Sequence, residues 1–354
     1  MEYRTLGGSG VKVSHFCLGA MMFGTLGNTD HDECVRITHT ALEAGINFVD
    51  TSDAYSSGES ERILAKALKG RRDEVVLATK CFFPIERVGQ FSRPATNVNL
   101  GGGSRRWIVR AVENSLQRLE TDYIDVYQLH RRDWDTDLEE SLAAMTDLQR
   151  AGKIRLIGTS ATPAEWIVEA QRLAERRHLA RVRSEQCIYS LLSRGSEVGV
   201  FPTCQRHGVG TMTYAPLAGG WLTGKYKRDE PLPANSRAAG RLGRMGVWNA
   251  ERPEVQRKYD LIEQLSGLAD EAGYSLTHMA LAFAAEHPAV SAIIIGPKTL
   301  AQLEDNLAAS ELRLPTDVLD RIDAIVPPGT RIDPKESMIP IPWLENPGQR
   351  RRPR

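Results

Sequence analysis

The sequence predicts an α/β fold, a closed (β/α)8 TIM barrel, and three observations carry that reading. Eight short apolar runs recur along the chain: residues 15–19, 46–50, 75–80, 123–130, 154–158, 182–186, 209–214 and 291–296. They lack polar alternation, as strands buried on both faces do, and helical patterns separate them, which points to a parallel sheet covered by helices. The runs ending at Gly158, Gln186 and Tyr214 are 28 residues apart, about one strand-loop-helix unit each, and this evenness favours a closed barrel over an open sheet. The turn after the first run, CLGAMMFGTLGN, also lacks the G-x-G-x-x-G of an open dinucleotide-binding sheet.

Taken in order, the chain begins with two short alternating runs around GGSG at residues 7–10, which predict an N-terminal β-hairpin capping the bottom of the barrel. In DHDECVRITHTALEAG (30–45), Cys34, Ile37, Ala41 and Leu42 share one helical face before Gly45 stops the helix. Further helices are expected over 60–68, 106–119, 138–150, 164–177 and 254–272, with Ser60, Asp137 and Thr162 as N-caps. Two connections, 81–104 and 215–252, are too long to be simple links. Both follow strands, so a barrel places them at its C-terminal face, where active sites of this fold sit. Residues 1–326 therefore read as one barrel domain. Residues 327–354, with PPGT and PIPW, read as an irregular tail whose terminal RRRPR is solvated.

Composition narrows the function classes. Lys and Arg number 45 against 45 Asp and Glu, so no net field attracts nucleic acid or an anionic membrane. No window approaches the ~18 apolar residues of a membrane span, and MEYRTLGGSG is no secretory signal. A cytoplasmic protein is expected. Five scattered cysteines form no C-x-x-C pair and the eight histidines no metal constellation, so reduced thiols and metal independence are expected.

In a parallel barrel, residues at strand C-termini converge, and the polar ones here are Asp50, Tyr55 just beyond, Lys80 and His130. A tyrosine ordinarily ionises near pH ~10, but a neighbouring ammonium favours phenolate, and a carboxylate paired with that lysine fixes its charge and place. An adjacent imidazole can hydrogen-bond a carbonyl oxygen and stabilise the oxyanion that forms as hydride reaches carbon. The set fits carbonyl reduction.

GINFVDTSDAYSSGESE (45–61) closely resembles the signature of the aldo-keto reductase superfamily, in which the Asp and the Tyr five residues later are catalytic. The resemblance continues through TDYIDVYQLHR (121–131), AGKIRLIGTS (151–160), EQCIYSLLSRG (185–195), YAPLAGGWLTGKY (214–226) and IIIGPKTLAQLEDN (293–306), covering residues 3–325. It is the bacterial type, similar to the branch that includes potassium-channel beta subunits. The resemblance implies the eight-stranded barrel, a catalytic tetrad of Asp50, Tyr55, Lys80 and His130 with Tyr55 as general acid/base, and NADPH held without a Gly-rich dinucleotide motif.

It also implies the cofactor contacts. Ser160 and Gln186 match positions that hold the carboxamide, Tyr214 matches the aromatic stacked on the nicotinamide, and Ala20, Met21 and Asp50 line the same end. Leu217, Gly219, Gly220 and Leu222 match the loop over the pyrophosphate, with Lys225 and Arg237 as its cationic clamp. Gly296, Lys298, Gln302, Asp305 and Asn306 match the adenosine end, where Lys298 favours NADPH over NADH through the 2′-phosphate. Ala161 follows Ser160 where many members carry Asn or Arg, which implies one polar contact fewer.

Among strand-end aromatics, Phe23, Phe82 and Phe83 are candidate walls of the substrate pocket, while Trp107, inside a helix, reads as core. Cys81, next to Lys80, reads as a buried inert thiol. An apolar mouth with no basic cluster beyond the clamp suggests a small-molecule aldehyde, ketone or sugar-like carbonyl. The second reading is a cofactor-reporting regulatory subunit with little turnover, as in relatives that associate with membrane channels. The intact tetrad speaks against it.

Overall fold

The computed structural model describes residues 1–84, 97–240, 243, 248–337 and 348. Strands β1 (Tyr3–Thr5) and β2 (Lys12–Ser14) form the expected antiparallel hairpin, with Tyr3 opposite Ser14. Eight parallel strands then close a barrel: β3 (Phe16–Gly19), β4 (Phe48–Asp50), β5 (Val76–Cys81), β6 (Ile124–Leu129), β7 (Ile154–Ser160), β8 (Val182–Ile188), β9 (Gly210–Tyr214) and β10 (Val290–Ile295). They pair in chain order, and β10 closes the ring by bonding both β9 and β3. All eight apolar runs are strands of this barrel.

Around it lie α1 (His31–Glu43), α2 (Glu59–Ala67), α3 (Arg105–Leu119), α4 (Leu138–Arg150), α5 (Ala164–Arg177), α6 (Val200–His207), α7 (Pro253–Glu271), α8 (Leu276–Glu286), α9 (Leu300–Ala308) and α10 (Thr316–Ile325). Asp30 caps α1 by accepting from the Glu33 N–H, and Gly45, at φ +90°, follows the helix end. None of the three expected caps makes a side-chain capping bond. Ser60 lies inside α2, where its buried hydroxyl donates to the Ala20 carbonyl (2.7 Å) instead, and Pro163 rather than Thr162 precedes α5. Asp137 does precede α4, without a capping bond from its side chain.

Period-two alternation sorts side chains between helix layer and barrel interior. The interior floor is apolar: Cys17, Phe48, Ala78, Val126, Met212 and Ala292 pack with Leu6 and Val13 of the hairpin, which plugs the N-terminal end. Two residues up β4, β5 and β6 the interior turns polar, with Asp50, Lys80 and Gln128, which Gln186 of β8 joins. Gly158 makes room for this layer, since a Cβ there would lie 2.4 Å from Ser184 Oγ and 2.7 Å from Gln128 Cγ. The change from apolar floor to polar ceiling positions the site at the C-terminal mouth.

Both long connections leave C-terminal strand ends, β5 and β9, as expected of loops over that mouth. Beyond Val326 the chain folds back: fully buried Asp333 accepts from both arms of Arg252 (2.8 Å each) and from Lys258 (3.3 Å). Pro334–Ser337 makes one 3-10 turn, and Glu336 bonds Lys258 at 2.6 Å. The terminal RRRPR lies outside the described residues. Among those described, no helix is long and apolar enough to cross a membrane, and the five cysteines are free and buried.

Candidate active site

Lys80, at the end of β5, is fully buried, so its ammonium needs a full set of acceptors in place of water. It has three: Asp50 Oδ2 at 2.6 Å, the Thr51 carbonyl at 2.7 Å and Tyr55 Oη at 3.3 Å. Burial opposes its charge, but Asp50 and then Tyr55 outweigh burial and hold the Lys80 pKa above the ordinary lysine value. Asp50 is fixed in turn, its Oδ1 accepting from the side-chain amides of Gln186 (2.8 Å) and Gln128 (3.2 Å). The carboxylate is therefore held by three donors, and the lysine presents one N–H to the tyrosine.

Tyr55 projects from a tight turn after β4. Its N–H donates to the Ser52 carbonyl (3.1 Å), and Ser56, Ser57 and Gly58 follow at φ +50°, +56° and +78°. Three successive left-handed residues, two of them not glycine, store backbone strain of the kind found at functional sites. Ser56 secures the turn by donating to the Phe23 carbonyl (2.8 Å) and accepting from the Leu26 N–H (3.0 Å).

His130 stands just past β6, edge-on to the Tyr55 ring at 5.8 Å and to Phe83 at 5.1 Å. Burial, then the charges of Arg131 and Lys80, push its pKa well below the ordinary 6.5, so the imidazole is neutral near pH 7. Its Nδ1 lies 3.2 Å from Ser52 Oγ. Next door on β8, burial raises the carboxyl of Glu185 to about 7, although Thr159 (2.5 Å) and the Thr162 N–H (2.9 Å) bond it.

These residues open on one cleft of about 620 Å³. Asp50, Tyr55 and His130 line its floor with Met21, Ser160, Gln186 and Tyr214. Leu217, Gly219, Gly220, Lys225 and Arg237 line the side formed after β9, and Gly296, Lys298, Gln302, Asp305 and Asn306 the side formed after β10. Lys80 does not line it but bonds Tyr55 and Asp50, which do. Five expected contacts, Ala20, Leu222, Phe23, Phe82 and Phe83, do not line the cleft. Ala20 is fully buried, with its N–H on the Asp50 carbonyl (2.8 Å) and its C=O on Ser60, while Leu222 and Phe23 are buried in the core outside the barrel. Phe82 packs on Phe83 at 5.2 Å, and Phe83 flanks His130 without lining the cleft. Trp107 is core, as read, and buried Cys81 has its thiol pKa pushed far up by burial.

The sequence reading did not name Gln128, Ser52, Arg131 or Glu336, yet the first two touch the tetrad and the last two line the cleft. For Gln128 the signal was available: it sits two residues before His130 and so shares its face.

Whether a nicotinamide dinucleotide fits can be judged from the charges. Lys225, Arg237 and Lys298 all face the cleft, and among the described residues no carboxylate lies within ion-pair distance of any of them. The acids nearby are taken: Asp305 by His278 (2.9 Å) and Glu336 by Lys258. Burial and then Arg237 lower the Lys225 pKa, a like-charged pair that a polyanion would relieve. Gly219 and Gly220, at φ +68° and +96°, keep the adjoining backbone bare, since a Cβ on Gly220 would meet Lys225 at 2.9 Å. These residues suit a pyrophosphate-bearing ligand.

A closed parallel barrel with a buried lysine–carboxylate–tyrosine set at its C-terminal mouth is an enzyme architecture. Residues 15–327 match the sequence model of the Aldo/keto reductase family. The chain is 38% identical over 336 residues to the uncharacterized oxidoreductase YrpG of Bacillus subtilis, covering 92% of this chain and 96% of that one. It is 34% identical to a probable voltage-gated potassium channel subunit beta of Arabidopsis thaliana (92% and 97%) and 32% identical to the versiconal hemiacetal acetate reductase of Aspergillus parasiticus (91% and 96%). The chain belongs to the aldo/keto reductase family, and so to the carbonyl-reducing oxidoreductases, whose members use nicotinamide cofactors.

Proposed function

We propose that this protein is an NADPH-dependent reductase that converts the carbonyl of a small aldehyde, ketone or sugar-like molecule to an alcohol, with Tyr55 as general acid/base. The observation that carries the reading is the Lys80–Tyr55 bond at the floor of a cleft whose cations Lys225, Arg237 and Lys298 have, among the described residues, no acid within ion-pair distance.

NADPH, when bound, supplies the hydride for the carbonyl carbon. Lys225 and Arg237 would hold its pyrophosphate, Lys298 the 2′-phosphate, and Ser160 and the Gln186 amide oxygen its carboxamide. Tyr55 accepts a hydrogen bond from Lys80, which leaves its own O–H to donate to the carbonyl oxygen. As charge develops on that oxygen, the fixed Lys80 ammonium stabilises the phenolate that remains after proton transfer. Neutral His130, held edge-on against Phe83, orients the carbonyl from the other side. Asp50 keeps Lys80 charged and aimed. Met21, Tyr214, Leu217 and Trp248 make the walls apolar, which suits an uncharged small molecule rather than a nucleic acid. The same reading places the protein in the cytoplasm, away from membranes.

Titration with NADPH and NADH, followed by a panel of aldehydes, ketones and keto-sugars, tests this by loss of reduced-cofactor absorbance. Tight NADPH binding with turnover supports the reductase. Binding without turnover of any carbonyl points instead to a regulatory subunit, the role that the Arabidopsis relative's name carries.

A further inference from the structure

Between Asp50 and Tyr55 the chain places Ser52 and Asp53, both fully buried behind His130. Ser52 Oγ lies 3.2 Å from His130 Nδ1 and 3.3 Å from Asp53 Oδ1, and accepts the Ala54 N–H at 3.3 Å. We propose that Ser52 and Asp53 are positioning residues that hold His130 in its Nε2–H tautomer, so that the imidazole donates a hydrogen bond into the cleft. The inference rests on the reading of His130 as the group that orients a carbonyl oxygen.

A serine hydroxyl carries one proton, and the tautomer depends on where that proton goes. If Asp53 were ionised, Ser52 would donate to it and accept Nδ1–H, turning a bare Nε2 toward the cleft, where it could only repel a carbonyl oxygen. If Asp53 is a neutral acid, its O–H donates to Ser52, Ser52 donates to Nδ1, and Nε2–H faces the cleft. Ser52 then has one bond given and two received, its full complement.

The charges around Asp53 select the second arrangement. Glu61, on α2, takes the nearby cation Arg118 of α3 at 2.6 Å and the Thr79 hydroxyl at 2.7 Å. Lys80 of β5 is committed to Asp50, and Cys81 of β5 and Tyr127 of β6 bring no positive charge. Among the described residues Asp53 Oδ2 has no hydrogen-bond partner, an arrangement costly for a carboxylate and tolerable for a neutral acid. Burial first, then Glu61, drive the Asp53 pKa well up.

The test is 15N NMR of histidine-labelled protein, with the His130 signals assigned by His130→Gln. In the wild type at pH 7 the expected signature is a protonated Nε2 and an unprotonated, hydrogen-bonded Nδ1. A protonated Nδ1 overturns the inference. Asp53→Asn, whose amide N–H can take over donation to Ser52, should retain Nε2–H. Ser52→Ala should lose the Nδ1 hydrogen-bond shift and cost about tenfold in kcat, with KM little changed. An unchanged Nδ1 signal and unchanged kcat in Ser52→Ala overturn the inference. The readouts separate the two readings: turnover with Nδ1–H removes only the tautomer assignment, whereas Nε2–H without turnover of any carbonyl supports that assignment and removes the proposed function.

Discussion

The Lys80 ammonium sits 2.6 Å from the Asp50 carboxylate, with 0% and 3% of the two side chains exposed. A pair this deep stabilises the fold only while both partners are present. Lys80→Met should cost about 3–5 kcal/mol in urea unfolding, because Asp50 then keeps only the two amide donors. A loss below about 1 kcal/mol would contradict the arrangement. The folded state raises the Lys80 pKa above 10.5, so the pair's contribution is complete below pH 10.5 and is lost as pH climbs through the raised value.

His130 behaves in the opposite sense. Its folded pKa lies below 6.5, so as pH falls beneath 6.5 the unfolded chain takes up a proton that the folded imidazole refuses, and stability drops. His130→Gln should flatten that acid limb in melting temperatures between pH 6.5 and 5. Wild-type kcat should change by no more than about twofold between pH 8 and 6.5 on account of this residue, since it stays neutral throughout. An activity limb near 6.5 that His130→Gln abolishes would refute the neutral imidazole.

Glu185 lies on β8 one residue before Gln186, and its carboxyl is raised from 4.5 to about 7 by burial. The unfolded chain ionises first, so stability declines as pH rises from 4.5 through 7, by about 3 kcal/mol when complete. Glu185→Gln can keep the bonds to Thr159 and Thr162 without carrying charge. Its melting temperature should exceed wild type at pH 8 and match it near pH 4.5. Equal stability of the two proteins at both pH values would exclude a buried ionising carboxyl.

Lys298 borders the cleft, and among the described residues no carboxylate pairs with it. Lys298→Ala should weaken NADPH binding about tenfold to a hundredfold, the worth of a charged hydrogen bond, and leave NADH binding unchanged. Equal loss for both cofactors in fluorescence titrations would show that this lysine does not read the 2′-phosphate.

The barrel was legible because its strands are buried on both faces and read as plain apolar runs. Helix α8 was not, because LTHMALAFAAE is apolar nearly all round and carries no amphipathic stripe. That Asp50, Tyr55, Lys80 and His130 come together was legible from residue types at strand ends and from the signature around Asp50 and Tyr55. Ala20 and Leu222 show where the resemblance ran out, and Phe23 where the strand-end reading did, because neither reveals whether a side chain turns to the cleft or to the core. The docking of Asp333 on Arg252 and Lys258 joins residues about 80 apart in the chain, a pairing no local pattern announces.

The most direct measurement is a single-turnover experiment on the NADPH complex of wild type and Tyr55→Phe, mixed with a carbonyl that the wild type reduces. The expected result is equal NADPH affinity in the two proteins, with loss of reduced-cofactor absorbance at least about a thousandfold slower in Tyr55→Phe, the scale of a general acid's contribution. Oxidation at a rate close to wild type would contradict the assignment of Tyr55 as the proton donor.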